Sequence, residues 1–138
     1  MSTASGTPPR AAPPVELLLP PLPGHVRTAR LVAVSVARRR GLDPELIEEI
    51  RLAVGEACTR SVLRSLHARS QEAVRVQLVE TPATLEIQVH DGGEPDPKTS
   101  AGVGDLPSHI TELTLISASS DEHVLEDDGR CLRLTWYC

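Results

Sequence analysis

Two carboxylates and a set of glycines stand where chemistry could be done. Asp91 shares its alternation with Leu85, Ile87 and Val89, so its carboxylate points to the side those residues bury. A carboxylate there is costly unless it finds a partner. Gly92 and Gly93 follow it and let another group approach the backbone closely. The spacing leaves two readings open: a strand end closed by an Asp-Gly turn, or an acceptor for a second group. Glu56 and Arg60 stand four residues apart beside an apolar helical stripe. On spacing alone they are a helix-surface ion pair, worth roughly a few tenths of a kcal/mol. Gly102 and Gly104 add a second glycine pair, inside a Gly-, Pro- and Asp-rich loop over 92–106. The histidines at 25, 67, 90, 109 and 123 fall on separate elements without ligand spacing, and no metal site is expected.

These residues need elements to position them. Val26, Ala29, Val32, Ala33, Val36 and Ala37 recur at helical spacing and predict a helix over 24–40, with Gly41 as its stop. Arg27, Arg30 and Arg38 to Arg40 mark its other face. Asp43 as N-cap, Pro44 at the first position and Glu45 in the first turn open a second helix. Its stripe of Leu46, Ile47, Ile50, Ala53, Val54, Ala57, Cys58, Ser61 and Val62 runs to about residue 67 and carries Glu56 and Arg60. The period then changes to two. Val74, Val76 and Leu78, followed by Leu85, Ile87 and Val89, predict a hairpin with one buried face. A third helix is expected over 107–118, with Ile110, Leu113, Thr114 and Ser117 inward. A second hairpin over 123–125 and 130–137 closes the chain, and 15–19 reads as an edge strand between prolines. Helices on one face of a mostly antiparallel sheet make an α+β two-layer sandwich.

Composition narrows the function classes. The 138 residues suit one domain over 15–138, behind a Pro-rich tail over 1–14 that is expected to be disordered. The core must be aliphatic, since the chain has no Phe and one Trp. A formal net charge of −5 argues against nucleic acid as a partner. No apolar run is long enough to span a membrane and no signal peptide is visible, so the expected location is the cytoplasm. Cys58, Cys131 and Cys138 lack the spacing of a metal or disulfide framework, and Cys58 reads as an inert core thiol.

The segment from Arg51 to Arg60, RLAVGEACTR, resembles the N-box of the anti-sigma-factor serine kinases, a branch of the GHKL ATPase superfamily that includes histidine-kinase catalytic domains. Asp91 with Gly93 resembles the Asp-x-Gly-x-Gly box, and Gly102 with Gly104 the last glycine box. Ala29-Arg30 is similar to a pair on the family's partner-binding helix. The resemblance covers about 15–137 and implies a Bergerat-type fold. It would make Glu56 the general base toward a substrate serine and Asp91 the acceptor for the adenine amino group. The glycines would close over phosphates.

The sequence departs from that pattern at several places. Arg60 stands where the family has its Mg²⁺-ligating Asn, and a guanidinium has donors only. An ion pair with Arg60 would also make Glu56 a poorer base. Pro95 stands at the second glycine of its box, or a short deletion displaces that glycine; Asp105 follows the last box, and Gly129-Arg130 replaces Gly-Thr. The expectation is a regulator that binds a sigma factor, an anti-anti-sigma (STAS) protein, or both, through a basic face including Arg27 and Arg30, with ATP binding and kinase activity lost or weakened. The alternative is an active ATP- and Mg²⁺-dependent serine-protein kinase acting on its anti-anti-sigma antagonist. A metal-free variant, with Arg60 pairing directly to a phosphate, and a sensor for another small ligand are weaker readings. Dimerisation through the sheet is common in the family.

Overall fold

The computed structural model describes residues 13–95 and 120–138. A five-stranded sheet is built from β1 (Val15–Leu19), β2 (Val74–Glu80), β3 (Thr84–His90), β4 (Glu122–Glu126) and β5 (Cys131–Tyr137). The order is β1-β2-β3-β5-β4, and every neighbouring pair is antiparallel. Two helices, α1 (Val26–Arg39) and α2 (Pro44–His67), join β1 to β2 and pack on each other and on the sheet. This is the expected α+β architecture. The third helix and the glycines at 102 and 104 lie outside the described residues, as does the tail over 1–12.

Register puts one alternation of β1, β2, β3 and β5 toward the core, while β4 adds the partly buried Leu125 at the sheet edge. Leu17 faces Val76, Val76 faces Val89, and Val89 faces Leu132 across three successive ladders. Leu85 and Trp136 form another cross-strand pair, and both side chains are fully buried. The helices meet through small residues: Ala29, Ala33 and Ala37 of α1 with Ala53 and Ala57 of α2 are all buried in the same cluster. The opposite sheet face is polar and satisfies itself, as where Gln77 donates to Glu16 (2.8 Å) and Gln88 to Glu86 (2.9 Å).

Local chemistry sets the helix ends. After α1, Gly41 takes φ +79°, its N–H bonds the Arg38 carbonyl, and the Leu42 N–H bonds the Ala37 carbonyl. That is the Schellman pattern, and the left-handed residue in it favours glycine. Asp43 does occupy the N-cap of α2 with Pro44 behind it, but its side chain makes no capping bond. The same C-terminal device recurs after α2, where Arg69 adopts φ +55° while Arg69 and Ser70 bond back to Leu66 and Ser65. The β4–β5 connection is a short 3₁₀ turn, Asp127–Gly129, with three successive residues at positive φ (51°, 54° and 87°).

Candidate functional site

The helical repeat of α2 brings Glu56, Arg60 and Arg64 onto one face, at i, i+4 and i+8. That face meets the β4–β5 turn and the chain leaving β3. Arg60 is 2% exposed, and one terminal nitrogen donates to the Gly129 carbonyl at 3.0 Å. The i,i+4 ion pair expected between Glu56 and Arg60 does not form among the described residues. The Arg60 side chain turns inward to the turn at 127–129, because a guanidinium so deeply buried needs acceptors on that side. Two departures read from the sequence, Arg60 and the Gly129-Arg130 pair, therefore meet in space.

Asp91 is placed as its alternation predicts. Its N–H bonds the Arg130 carbonyl at 2.9 Å, continuing the β3–β5 edge, and its carboxylate has no exposed area. Its partner is Arg64, whose Nε lies 3.3 Å from Oδ1 and 3.2 Å from Oδ2. Oδ1 also accepts the Gly93 N–H at 2.8 Å, and the far end of Arg64 donates to the Glu94 carbonyl at 2.6 Å. The glycines are bound up with this cluster. A Cβ on Gly93 would lie 3.0 Å from the Arg64 Cβ, and one on Gly92 would meet the Ser70 hydroxyl at 2.4 Å. Both would force the neighbours apart. Arg64 was missed from the sequence, although its spacing from Arg60 was a signal that the polar face of α2 extends one turn further.

The other candidate residues separate. Glu56 is half-buried, one residue from Gly55. Arg30 crosses from α1 onto α2 at that point: a Cβ on Gly55 would be 3.1 Å from its Cδ. Cys58 lies beneath, and burial pushes its thiol up to about 12 despite the Arg30 charge nearby. Arg27 and Arg38 are exposed on α1. Arg40 is not open basic surface: it reaches Glu80 (3.6 Å), the Thr81 carbonyl (2.6 Å) and the Cys138 sulfur (3.1 Å), while Arg39 bonds Glu80 at 2.5 Å and keeps most of its side chain exposed. Next to them, Val15, Leu31, Val32, Ser35, Val36 and Arg39 line an open groove of about 440 Å³ between β1 and α1. Leu31 there is 58% exposed. Among the described residues, no group of three or more His, Cys, Asp or Glu is set to hold a metal, and no helix is long and apolar enough to cross a membrane.

The sequence profile of the histidine kinase-like ATPase domain matches residues 19–136. The chain belongs to that family. Relatives point to one branch of it. A serine-protein kinase RsbW of Listeria monocytogenes is 33% identical over 79 residues, covering 57% of this chain and 50% of its own. Its counterpart from Bacillus licheniformis is 34% identical over 85 residues, covering 62% and 53%. The chain thus spans about half the length of the curated relatives it matches. Among solved structures, the RsbU and RsbW domains of a Mycobacterium tuberculosis protein superpose with a TM-score of 0.67 at 16% identity, covering 91% of this chain and 32% of that one. That likeness establishes the fold, and the RsbW relatives meet the resemblance to anti-sigma-factor kinases read from the N-box.

Proposed function

We propose that this domain is a partner-switching regulator of the anti-sigma type that binds protein partners without depending on nucleotide or kinase activity. The reading is supported above all by the engagement of Asp91 with Arg64. The acceptor that a nucleobase would need already carries a charged donor. Arg60 adds to this, since a buried guanidinium at the Mg²⁺-ligand position offers no lone pair to a cation. Phosphoryl transfer runs on metal-assisted charge neutralisation and positioning, so a Mg²⁺–nucleotide complex does not fit these residues as they stand. The surface offered to partners is the outward side of α1, with Arg27 exposed, Arg30 on the side toward α2, and Leu31 lining the groove beside β1. Its mix of guanidinium and aliphatic groups suits an acidic, partly apolar surface on a sigma factor or an anti-anti-sigma (STAS) protein. On this reading the domain works in the cytoplasm, with a homodimer through the sheet as the family habit.

One observation favours the kinase alternative. Glu56 is half-exposed and forms no ion pair among the described residues, so its carboxylate is open to act as a base. The two readings separate in one experiment. Interferometry against the sigma factors and STAS proteins of the source organism should give binding without nucleotide. The STAS partner, incubated with the domain and Mg²⁺-ATP, should show no phosphoserine by mass spectrometry. Stoichiometric Mg²⁺-ATP-dependent phosphoserine would overturn the nucleotide-free reading and install the kinase.

A further inference from the structure

We propose that Arg64 is a built-in competitor for the nucleobase: it occupies the Asp91 carboxylate that an exocyclic amino group would otherwise engage. The inference rests on Asp91 being the base acceptor of the fold. Among the described residues, two donors converge on that fully covered carboxylate, the Arg64 Nε at 3.2–3.3 Å and the Gly93 N–H at 2.8 Å. Of these, only Arg64 can leave without moving the backbone. Its side chain is 15% exposed and, among the described residues, is tethered to the chain after β3 by one main-chain carbonyl, that of Glu94.

The geometry of the contact argues for a removable occupant. Arginine holds a carboxylate most firmly through a two-pronged fork of parallel bonds at about 2.7–2.9 Å. Here one nitrogen, Nε, is shared between both oxygens at longer range, while the terminal nitrogen goes to Glu94. A neutral amino group is still the weaker donor, and it arrives from solution against a donor fixed on the same chain. Arg64 therefore prevails at ordinary nucleotide concentrations. Withdrawing it leaves Asp91 with the Gly93 N–H, unfilled acceptor capacity and the space vacated by the guanidinium.

The test is calorimetric titration of the full chain with ADP, without Mg²⁺, comparing wild type with Arg64→Ala. The substitution removes a positive charge, which by itself weakens binding of an anion. Competition predicts the opposite sign, a gain of at least about tenfold in affinity, the size expected of one freed hydrogen bond to a charged group. The gain should vanish in Arg64→Ala/Asp91→Ala. It should also be missing for inosine diphosphate, which lacks the exocyclic amine. Unchanged or weaker ADP binding on a folded Arg64→Ala protein overturns the inference, as does an equal gain for both nucleotides. If the alanine variant does not fold, Arg64→Gln keeps the stem and removes the charge. It should show a smaller gain of the same sign, and no gain there overturns the inference equally. Partner binding measured on the same preparations without nucleotide scores the regulatory reading separately, so either can fail alone.

Discussion

The arginines of α1 and those of α2 put the same side chain to different ends. On α1 the guanidiniums stay at the surface: Arg27 and Arg38 face solvent, and Arg39 spans to Glu80 with most of its own side chain exposed. On α2, Arg60 and Arg64 turn inward and fasten segments distant in sequence, the turn before β5 and the chain after β3. Surface ion pairs contribute roughly 0–1 kcal/mol because water and salt screen them. A buried guanidinium is bound by a stricter rule, since its desolvation must be met by acceptors on every accessible side. The α1 set is therefore free to vary with partners, whereas Arg60 is fixed by the fold around it and Arg64 is held on α2 by two polar contacts to the chain at the end of β3. Arg30 lies between the two cases, rooted on α1 with its stem on Gly55 of α2.

The contrast can be broken most directly at Arg60. Arg60→Glu would place a carboxylate against the Gly129 carbonyl in a buried site, and a loss of about 3–5 kcal/mol is expected in urea denaturation, as for an uncompensated buried charge. A near-neutral result would mean that Arg60 is no more structural than Arg27. Arg30 should behave the other way. Arg30→Ala is expected to weaken capture of a sigma or STAS partner by about tenfold, the loss of one substantial interface contact, with an unchanged melting temperature. Gly55→Ala sharpens the same point: a mid-helix alanine should add about 0.5–1 kcal/mol of stability while displacing the Arg30 stem and lowering partner affinity.

Smaller effects test the helix ends. Arg69 holds a left-handed conformation in an exposed C-terminal motif, so Arg69→Gly should stabilise by about 0.5–1 kcal/mol in the same urea assay. The smallest effect belongs to the exposed Glu48–Arg51 pair. The Arg51 hydrogen bond holds the Glu48 carboxyl below its ordinary value. A carboxyl lowered in the folded state adds stability above its unfolded pKa and loses it as pH falls through the folded pKa. Glu48→Gln should therefore lower the melting temperature slightly at neutral pH, and the gap to wild type should close in acid.

Periodicity made the framework of this domain legible. The alternation ending in Asp91 told which way its carboxylate points, and the stripe on α2 located Glu56 and Arg60 on a polar margin. Periodicity gives direction and says nothing of the partner at the end of it. Arg60 reaches a carbonyl 69 residues away and Arg64 a carboxylate 27 residues away, so neither bond is written in local spacing. For the same reason the run Arg38 to Arg40 read as one basic face. The Schellman turn at Gly41 instead aims Arg40 toward the sheet end, where Glu80, Thr81 and Cys138 receive it. Asp43 shows the converse: the position was legible, and the hydrogen bond usually inferred from it is absent.

The aliphatic core has a spectroscopic consequence. The chain has a single tryptophan, Trp136, which sits without exposed area on β5 opposite Leu85. The lone tyrosine, Tyr137, is the next residue and points to the wet side of the sheet. Ultraviolet emission excited at the red edge of the indole band therefore comes from one place, the seam between β3 and β5. It should stay blue-shifted while that seam is dry and move to the red in one step when the strands part. The protein carries its own optical gauge of the strand pair whose end holds Asp91.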